Sequence, residues 1–286
     1  MSLDLFTANK SDFASLNGRF GMEFMANLLW AESRRYGIPV SNISLSYDVS
    51  VPDGGIDAQV EGPTKPRGDL IAGGLSCYQI KAGEDFAPQE DSSIRKELFG
   101  KKEITKDNLG ERVRYCLENH GTYVLVCLHK QLNARQEGNA IKNLKKYFNL
   151  CGYHNVSLLI IDQTKIIGIL RSYPSLVLAL KGINVNFQTH FSWSNSEQMR
   201  KEFVLGNELS NKMDNIRESL RNHLSSTHIR VLGDPGIGKT KFTLEATSPQ
   251  DLSSLVIYCD SPKKFLDSNL LDHTSHNQIM NSQSYS

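Results

Sequence analysis

The sequence predicts an α/β protein: an α/β/α sandwich with a mixed central sheet over residues 1–181, followed by the opening of a second α/β domain. Three observations predict it. The runs TYVLVCL (122–128) and VSLLIID (156–162) are apolar on both faces, as buried central strands are. Between them, residues 134–149 place Ile141, Leu144 and Phe148 at helical spacing. Far along the chain, GDPGIGKT stands between a strand-like IRVL and a helix-like KFTLEA.

Each remaining element follows from local pattern. Phe20, Phe24, Leu28 and Ala31 repeat at helical spacing over 17–36, with Asn17 as the expected N-cap. Residues 43–47, 56–60 and 75–81 read as strands, the last two joined by a loop rich in Pro63, Pro66, Gly68, Gly73 and Gly74. Charge-rich helices are expected over 93–99 and 109–119, and a helix over 163–172 closes the layer before Lys181. Residues 182–206 turn to Asn, Ser, Gln and Thr and are expected as a linker. Leu209, Met213, Ile216, Leu220 and Leu224 then mark a helix, and 228–232 and 255–259 mark short strands, within a domain fragment over 207–262. Residues 263–286 hold too few apolar side chains to pack and are expected to be disordered. No internal repeat is present.

Composition narrows the class. At 39% hydrophobic and 22% charged, the chain has the make-up of a globular protein. Its 32 basic and 31 acidic residues nearly cancel, so any hold on nucleic acid must come from a local basic face. Arg135, Lys142, Lys145 and Lys146 share one side of the 134–149 helix and could grip phosphates, although a solvated face has the same pattern. The five cysteines, Cys77, Cys116, Cys127, Cys151 and Cys259, are odd in number, form no CxxC pair and mostly sit in apolar runs. Buried free thiols, no zinc site and a cytoplasmic location are expected. The N-terminus lacks a basic segment followed by an apolar run, and no stretch approaches the ~20 apolar residues of a spanning helix, so no membrane partner is expected.

In GDPGIGKT, Gly233, Gly236 and Gly238 let backbone N–H groups converge on phosphate oxygens, Lys239 adds a point charge, and the Thr240 hydroxyl can ligate magnesium. Hydrolysis would also need a carboxylate on a later strand. Asp260 is the only candidate, and a solvated strand-end aspartate fits it better. ATP is the expected nucleotide at this incomplete loop, without turnover by this chain alone. The stretch FVLGNELSNKMDNIRESL (203–220) ahead of the loop resembles the entry to STAND-type ATPases, which implies a switch module whose remaining parts lie outside this chain.

A second constellation lies upstream. Alternation over 75–81 puts Cys77, Gln79 and Lys81 on one face, and Asp57 shares a face with Gln59 on the preceding strand. If those strands pair, Asp57, Gln79 and Lys81 converge as one carboxylate, one neutral oxygen ligand and one ammonium. Magnesium prefers hard oxygen donors, which suits the Asp57 carboxylate, the Gln79 amide oxygen and the Ile80 carbonyl. Lys81 is placed to orient an attacking water and balance charge on a phosphate.

The DGGID (53–57) and QIK (79–81) segments, in the order helix, strand, strand, strand, resemble the PD-(D/E)xK nuclease superfamily and, within it, the Mrr-like restriction-endonuclease domain, over about residues 10–170. The resemblance implies a restriction-endonuclease-like sandwich, with Asp57 as the metal-binding aspartate, Gln79 as the second ligand, Lys81 as the catalytic lysine and Glu23 as the first-helix glutamate that also joins the metal. Gln79 stands where most of the superfamily carries Asp or Glu, a change that Mrr-like members share. For Glu23 an ordinary surface pair with Arg19 is an equal reading, and Asp53 reads better as a turn residue. His273 and His276 carry no expected role.

These features imply a Mg²⁺- or Mn²⁺-dependent endonuclease acting on double-stranded DNA, gripping the backbone with low sequence specificity. It would be fused to a nucleotide-binding switch, as in bacterial antiviral (phage) defence proteins of similar architecture, with homo-oligomerisation on activation. Two alternatives stay open. One is a regulatory nucleotide-binding protein whose N-terminal domain only binds DNA or a partner, and the other is a Mrr-like restriction enzyme for modified DNA.

Overall fold

A computed structural model describes residues 7–46, 54–62, 69–182, 188–194, 199, 203–221, 228–253, 256–259, 261, 263 and 278–280. Asp53, Asp260, His273 and His276 lie outside the described residues, as do about half of the expected linker and most of the expected tail. The chain divides into two compact units, Ala8–Arg171 and Ser172–Ser286, the latter taken together with Met1–Thr7.

The first unit is a mixed α/β structure. Its elements run α1 (Gly18–Arg35), β1 (Ile43–Leu45), β2 (Ala58–Glu61), β3 (Leu75–Lys81), α2 (Asp91–Phe99), α3 (Glu111–Glu118), β4 (Thr122–Cys127), α4 (Ala134–Leu150), β5 (Ser157–Asp162) and α5 (Gln163–Leu170). The five strands form one sheet in sequence order. β1–β2 and β2–β3 pair antiparallel, while β3–β4 and β4–β5 pair parallel. Residues 46–57 and 62–74 connect the antiparallel pairs, whereas each parallel step requires a helical crossover, supplied by α2 with α3 and then by α4.

β4 is buried at every position, which explains why its sequence is apolar on both faces. One sheet face, carrying Cys77, Tyr123, Leu125 and Ile160, packs against Ile94 of α2, Val113 and Cys116 of α3, and Leu144 and Phe148 of α4. Tyr123 meets Phe148 edge-on with ring centroids 5.4 Å apart, a favoured aromatic geometry. The opposite face carries Tyr78, Ile80 and Ala82. α1 comes close to Ala82, just past β3, where a methyl added at Gly21 would stand 2.8 Å from the Ala82 Cβ.

Caps fix where the helices begin. Asn133 and Gln136 bond reciprocally through side chain and backbone, both at 3.0 Å, and start α4. Asp162 ends β5 and caps α5 through the Lys165 amide, while its other oxygen accepts from the Leu132 amide. The Gly54–Gly55 segment is anchored on the first turn of α3, where the Gly54 carbonyl accepts from the Arg112 and Val113 amides at 3.1 and 3.4 Å. Both glycines have positive φ, and at Gly110 any Cβ would collide with the Gly54 carbonyl oxygen.

The second unit contains α6 (Pro174–Leu180), β6 (Gln188–Thr189), α7 (His190–Ser194), α8 (Asn207–Arg221), β7 (His228–Arg230), α9 (Lys239–Ala246), α10 (Gln250–Ser253), β8 (Ile257–Tyr258) and β9 (Gln278–Met280). Within the stretch expected as a linker, His190 bonds the Leu244 carbonyl at 3.1 Å and Trp193 stacks on Tyr258 with centroids 4.1 Å apart. Within the expected tail, β9 pairs parallel with β7. α8 packs on α9 through Met213 and Phe242, and Arg217 of α8 donates to the Glu245 and Ala246 carbonyls at the α9 C-terminus. A guanidinium there satisfies carbonyls the helix leaves open and complements its dipole.

Gly110→Ala is expected to lower stability by about 1–3 kcal/mol through this backbone collision. Gly138→Ala, in an open position of α4, should raise it by about 0.5–1 kcal/mol. Urea unfolding of the two variants beside wild type checks both, and equal midpoints would show the Gly54–α3 contact to be slack.

Candidate functional site

Asp57 immediately precedes β2 and extends its ladder. Its amide donates to the Tyr78 carbonyl and its carbonyl accepts from the Ser46 amide, both at 2.8 Å. The β2–β3 register pairs Ala58 with Tyr78, so the next step sets Asp57 opposite Gln79. Directly opposed residues share a face, and contact follows. Gln79 Nε2 donates to Asp57 Oδ2 at 2.9 Å, and the Ile80 amide donates to the same oxygen at 2.5 Å.

Lys81 lies on that face two residues beyond Gln79, and its ammonium meets Glu97 Oε1 of α2 at 2.5 Å. Each of these two side chains keeps only 22% of its surface exposed. Lys81 Nζ also stands 5.9 Å from the centroid of the Phe86 ring, whose face attracts a cation. Burial raises the Tyr123 phenol far above its usual value, and the charges of Glu97 and Asp57 raise it further. Cys127 is pushed up to about 12, first by burial and then by Asp162, while Lys81 and Lys130 pull it down. Tyr123 and Cys127 stand beside Cys77 and Lys81 in the β3–β4 register, so this part of the face carries Asp57, Gln79, Lys81 and Glu97.

Glu97 is the residue that sequence reasoning missed. The helix DSSIRKELF holds two acids and two bases, and only its docking tells Glu97 from its neighbours. That docking depends on Asp91, at the start of α2, which accepts from Lys146 Nζ at 2.7 Å and the Tyr147 hydroxyl at 2.8 Å on α4. Glu97 follows the buried Ile94 by one helical turn, so it shares the inward side of α2. Lys146, counted among the basic face of α4, therefore already has a carboxylate partner.

Glu23 belongs to α1 and not to the paired strands that carry Gln79 and Lys81; it pairs with Arg19 at 2.8 Å, with 41% of its side chain exposed. Asn27 donates to the Glu23 carbonyl at 2.9 Å along the same stripe. Ile80, expected to contribute its carbonyl, here uses its amide to hold Asp57.

The donor set suits a hard divalent cation. Asp57 brings charge, the Gln79 side chain brings a neutral oxygen once its amide turns over, and magnesium ordinarily completes its shell with waters and phosphate oxygens. Among the described residues no three His, Cys, Asp or Glu side chains converge, so a soft-metal cage of the zinc type is not formed there. The five cysteines are free thiols, four of them buried.

In the second unit, the glycine loop links β7 to α9. Gly236 and Gly238 adopt φ of 82° and 88°, a left-handed backbone that favours glycine. Lys239 Nζ donates to the Gly233 and Asp234 carbonyls at 2.7 and 2.9 Å and staples the loop across its mouth. Thr240 lies in the first turn of α9, whose N–H groups face out of the helix as an anion site requires. β7 pairs with β9 and β8 pairs with β6, so among the described residues β7 and β8 do not share a sheet.

No family model, no curated protein and no solved structure matches the chain. Among the described residues no helix is long and apolar enough to cross a membrane.

Two outcomes follow from the bonding of the acids. Asp57→Ala strands the Gln79 amide and the Ile80 N–H and should cost about 1–3 kcal/mol, with Asp57→Asn costing less because it keeps an acceptor; chemical denaturation separates them. Hydrogen bonds from Lys146 and Tyr147 hold the Asp91 carboxyl below its usual pKa. A depressed folded-state pKa adds stability that is present above the ordinary aspartate value and lost as pH falls through the folded one. Asp91→Asn should therefore flatten the acid limb of the stability–pH curve, and an unchanged limb would show that this pairing does not hold α2.

Proposed function

We propose that the chain is a divalent-metal-dependent endonuclease that hydrolyses phosphodiester bonds in DNA, with the glycine loop of the second unit as a nucleotide-responsive control element. One observation carries the reading: Asp57 stands opposite Gln79 on paired antiparallel strands, with Lys81 two residues on along the same face. Three different groups at that spacing are what metal-assisted phosphodiester cleavage requires, and a structural ion pair would need only two of them.

Asp57 and Gln79 would hold the cation by their oxygens, with the Ile80 carbonyl as a further donor. When bound, the cation supplies a Lewis acid that lowers the pKa of a water and offsets the negative charge of the phosphate. Lys81 orients the attacking water or donates to a non-bridging phosphate oxygen, where negative charge grows as the P–O bond forms. Its half-buried position by Phe86 strengthens that donation relative to bulk water. DNA would be held chiefly through its backbone, since no base-reading element is evident among the described residues.

A second reading, in which the domain binds DNA or a partner without cutting, is favoured by the engagement of Lys81 with Glu97 and by the Gln79 amide turning its nitrogen toward Asp57. Both readings predict DNA binding, and only the first predicts chemistry.

Purified protein incubated with supercoiled plasmid and Mg²⁺ or Mn²⁺ should nick it, and Asp57→Ala and Lys81→Ala should each lower the rate by on the order of 10²-fold or more. Intact plasmid with wild type in both metals, with and without ATP, would sink the nuclease reading. Magnesium–ATP should bind the wild-type loop and lose most of its affinity in Lys239→Ala, as read by equilibrium dialysis, without measurable release of phosphate. Equal binding by the variant would remove the control element from the proposal.

A further inference from the structure

We infer that Glu97 of α2 is the second acidic ligand of the cation site, replacing the charge that Gln79 lacks. This rests on the nuclease reading and deepens it. With Gln79 neutral, Asp57 is the one carboxylate on β2 and β3 at the site, and a magnesium ion held without an all-protein cage is usually bound by one or two carboxylates together with substrate phosphates. A second carboxylate has to come from outside the two strands.

Glu97 meets the geometric requirements. Its carboxylate touches Lys81 Nζ, so it reaches the same end of the same face as Gln79, from the helix packed over that face. It is half-buried, with 22% of its side chain exposed, where a charge is screened less than on the open surface. Its charge and that of Asp57 both reach the buried Tyr123 phenol and raise its pKa beyond what burial does. α2 is fixed at both ends: Asp91 is bonded to Lys146 and Tyr147, and Arg95 donates to the Gly100 and Lys102 carbonyls beyond the helix. Ile94 and Phe99 on either side of Glu97 are in the core. A ligand on a rigid element loses little entropy on binding.

The ion pair then has a second role. Without a cation, Lys81 is the counter-charge that makes a half-buried Glu97 tolerable. With Glu97 engaged on a cation, the Lys81 ammonium would lose its partner and be free to donate to an incoming phosphate. Glu97 therefore couples metal loading to the freeing of the lysine.

Mn²⁺ binding to the full chain, followed by isothermal titration calorimetry without DNA, tests the assignment on wild type, Glu97→Gln, Asp57→Asn and Lys81→Met. The Gln and Asn variants keep side-chain size, and thermal unfolding reports whether each stays folded. If Glu97 is a ligand, Glu97→Gln weakens Mn²⁺ at least about tenfold, as Asp57→Asn does, whereas Lys81→Met leaves binding equal or tighter because it frees the carboxylate. If Asp57→Asn weakens binding and Glu97→Gln does not, Glu97 serves Lys81 alone and the inference fails while the nuclease reading stands. If neither acid affects Mn²⁺, or wild type binds none, both fail.

Discussion

One carboxylate oxygen ties the first unit together at its most exacting point. Asp57 Oδ2 accepts from the Gln79 side chain and the Ile80 amide, while the Asp57 backbone bonds both neighbouring strands. The strand that begins at Ala58 is thereby set in register one residue before its regular ladder starts. A slip of one residue would turn Asp57 to the opposite face and leave the Ile80 N–H without its acceptor. The buried Gln79 would lose its partner too, so register is enforced by polar satisfaction as well as by the apolar pattern of Ala58 and Val60. The same bonds that hold the sheet gather the chemistry.

The approach to Asp57 is constrained from the other side by glycine. Gly54 and Gly55 turn the chain with positive φ and set a carbonyl onto the first turn of α3, where only another glycine, Gly110, leaves room. α3 in turn packs against β4 through Val113 and Cys116. A loop that would otherwise be free is fixed at one end by a helix terminus and at the other by a strand ladder. Such fixing is what a site needs if its groups are to stay within tenths of an ångström of a working geometry.

Much of this architecture was legible before any coordinates. β3 spans the residues that alternation and its flanking glycines mark, Leu75–Lys81, and β4 and β5 follow their uninterrupted apolar runs to within a residue or two. The helices α1, α2 and α4 begin and end within two residues of their periodic segments. What escaped depends on non-local packing. Glu97 looks like any other charge on a mixed helix until Asp91 and Tyr147 dock that helix. For Glu23 the spacing offered an i, i+4 partner in Arg19, and that ion pair is formed. The 188–194 stretch is polar on average, but two side chains, His190 and Trp193, carry its packing, and composition averages them away. α6 has a local signal, Pro174 ahead of an apolar run, yet contacts and not composition assign it to the second unit.

The two units present opposite problems of charge. In the glycine loop Lys239 lies against backbone carbonyls, whose partial charges it satisfies without a carboxylate in the bond. In the first unit the lysine is neutralised by a full negative charge and shielded on one side by an aromatic ring. Lys81 is therefore poor bait for a phosphate until its carboxylate is drawn away. On the proposed reading a cation held at Asp57 would draw it, because such a charge would attract Glu97 and repel the ammonium at once. The order expected on that reading is metal first, then phosphate, with the lysine turned to the phosphate only once the site is loaded.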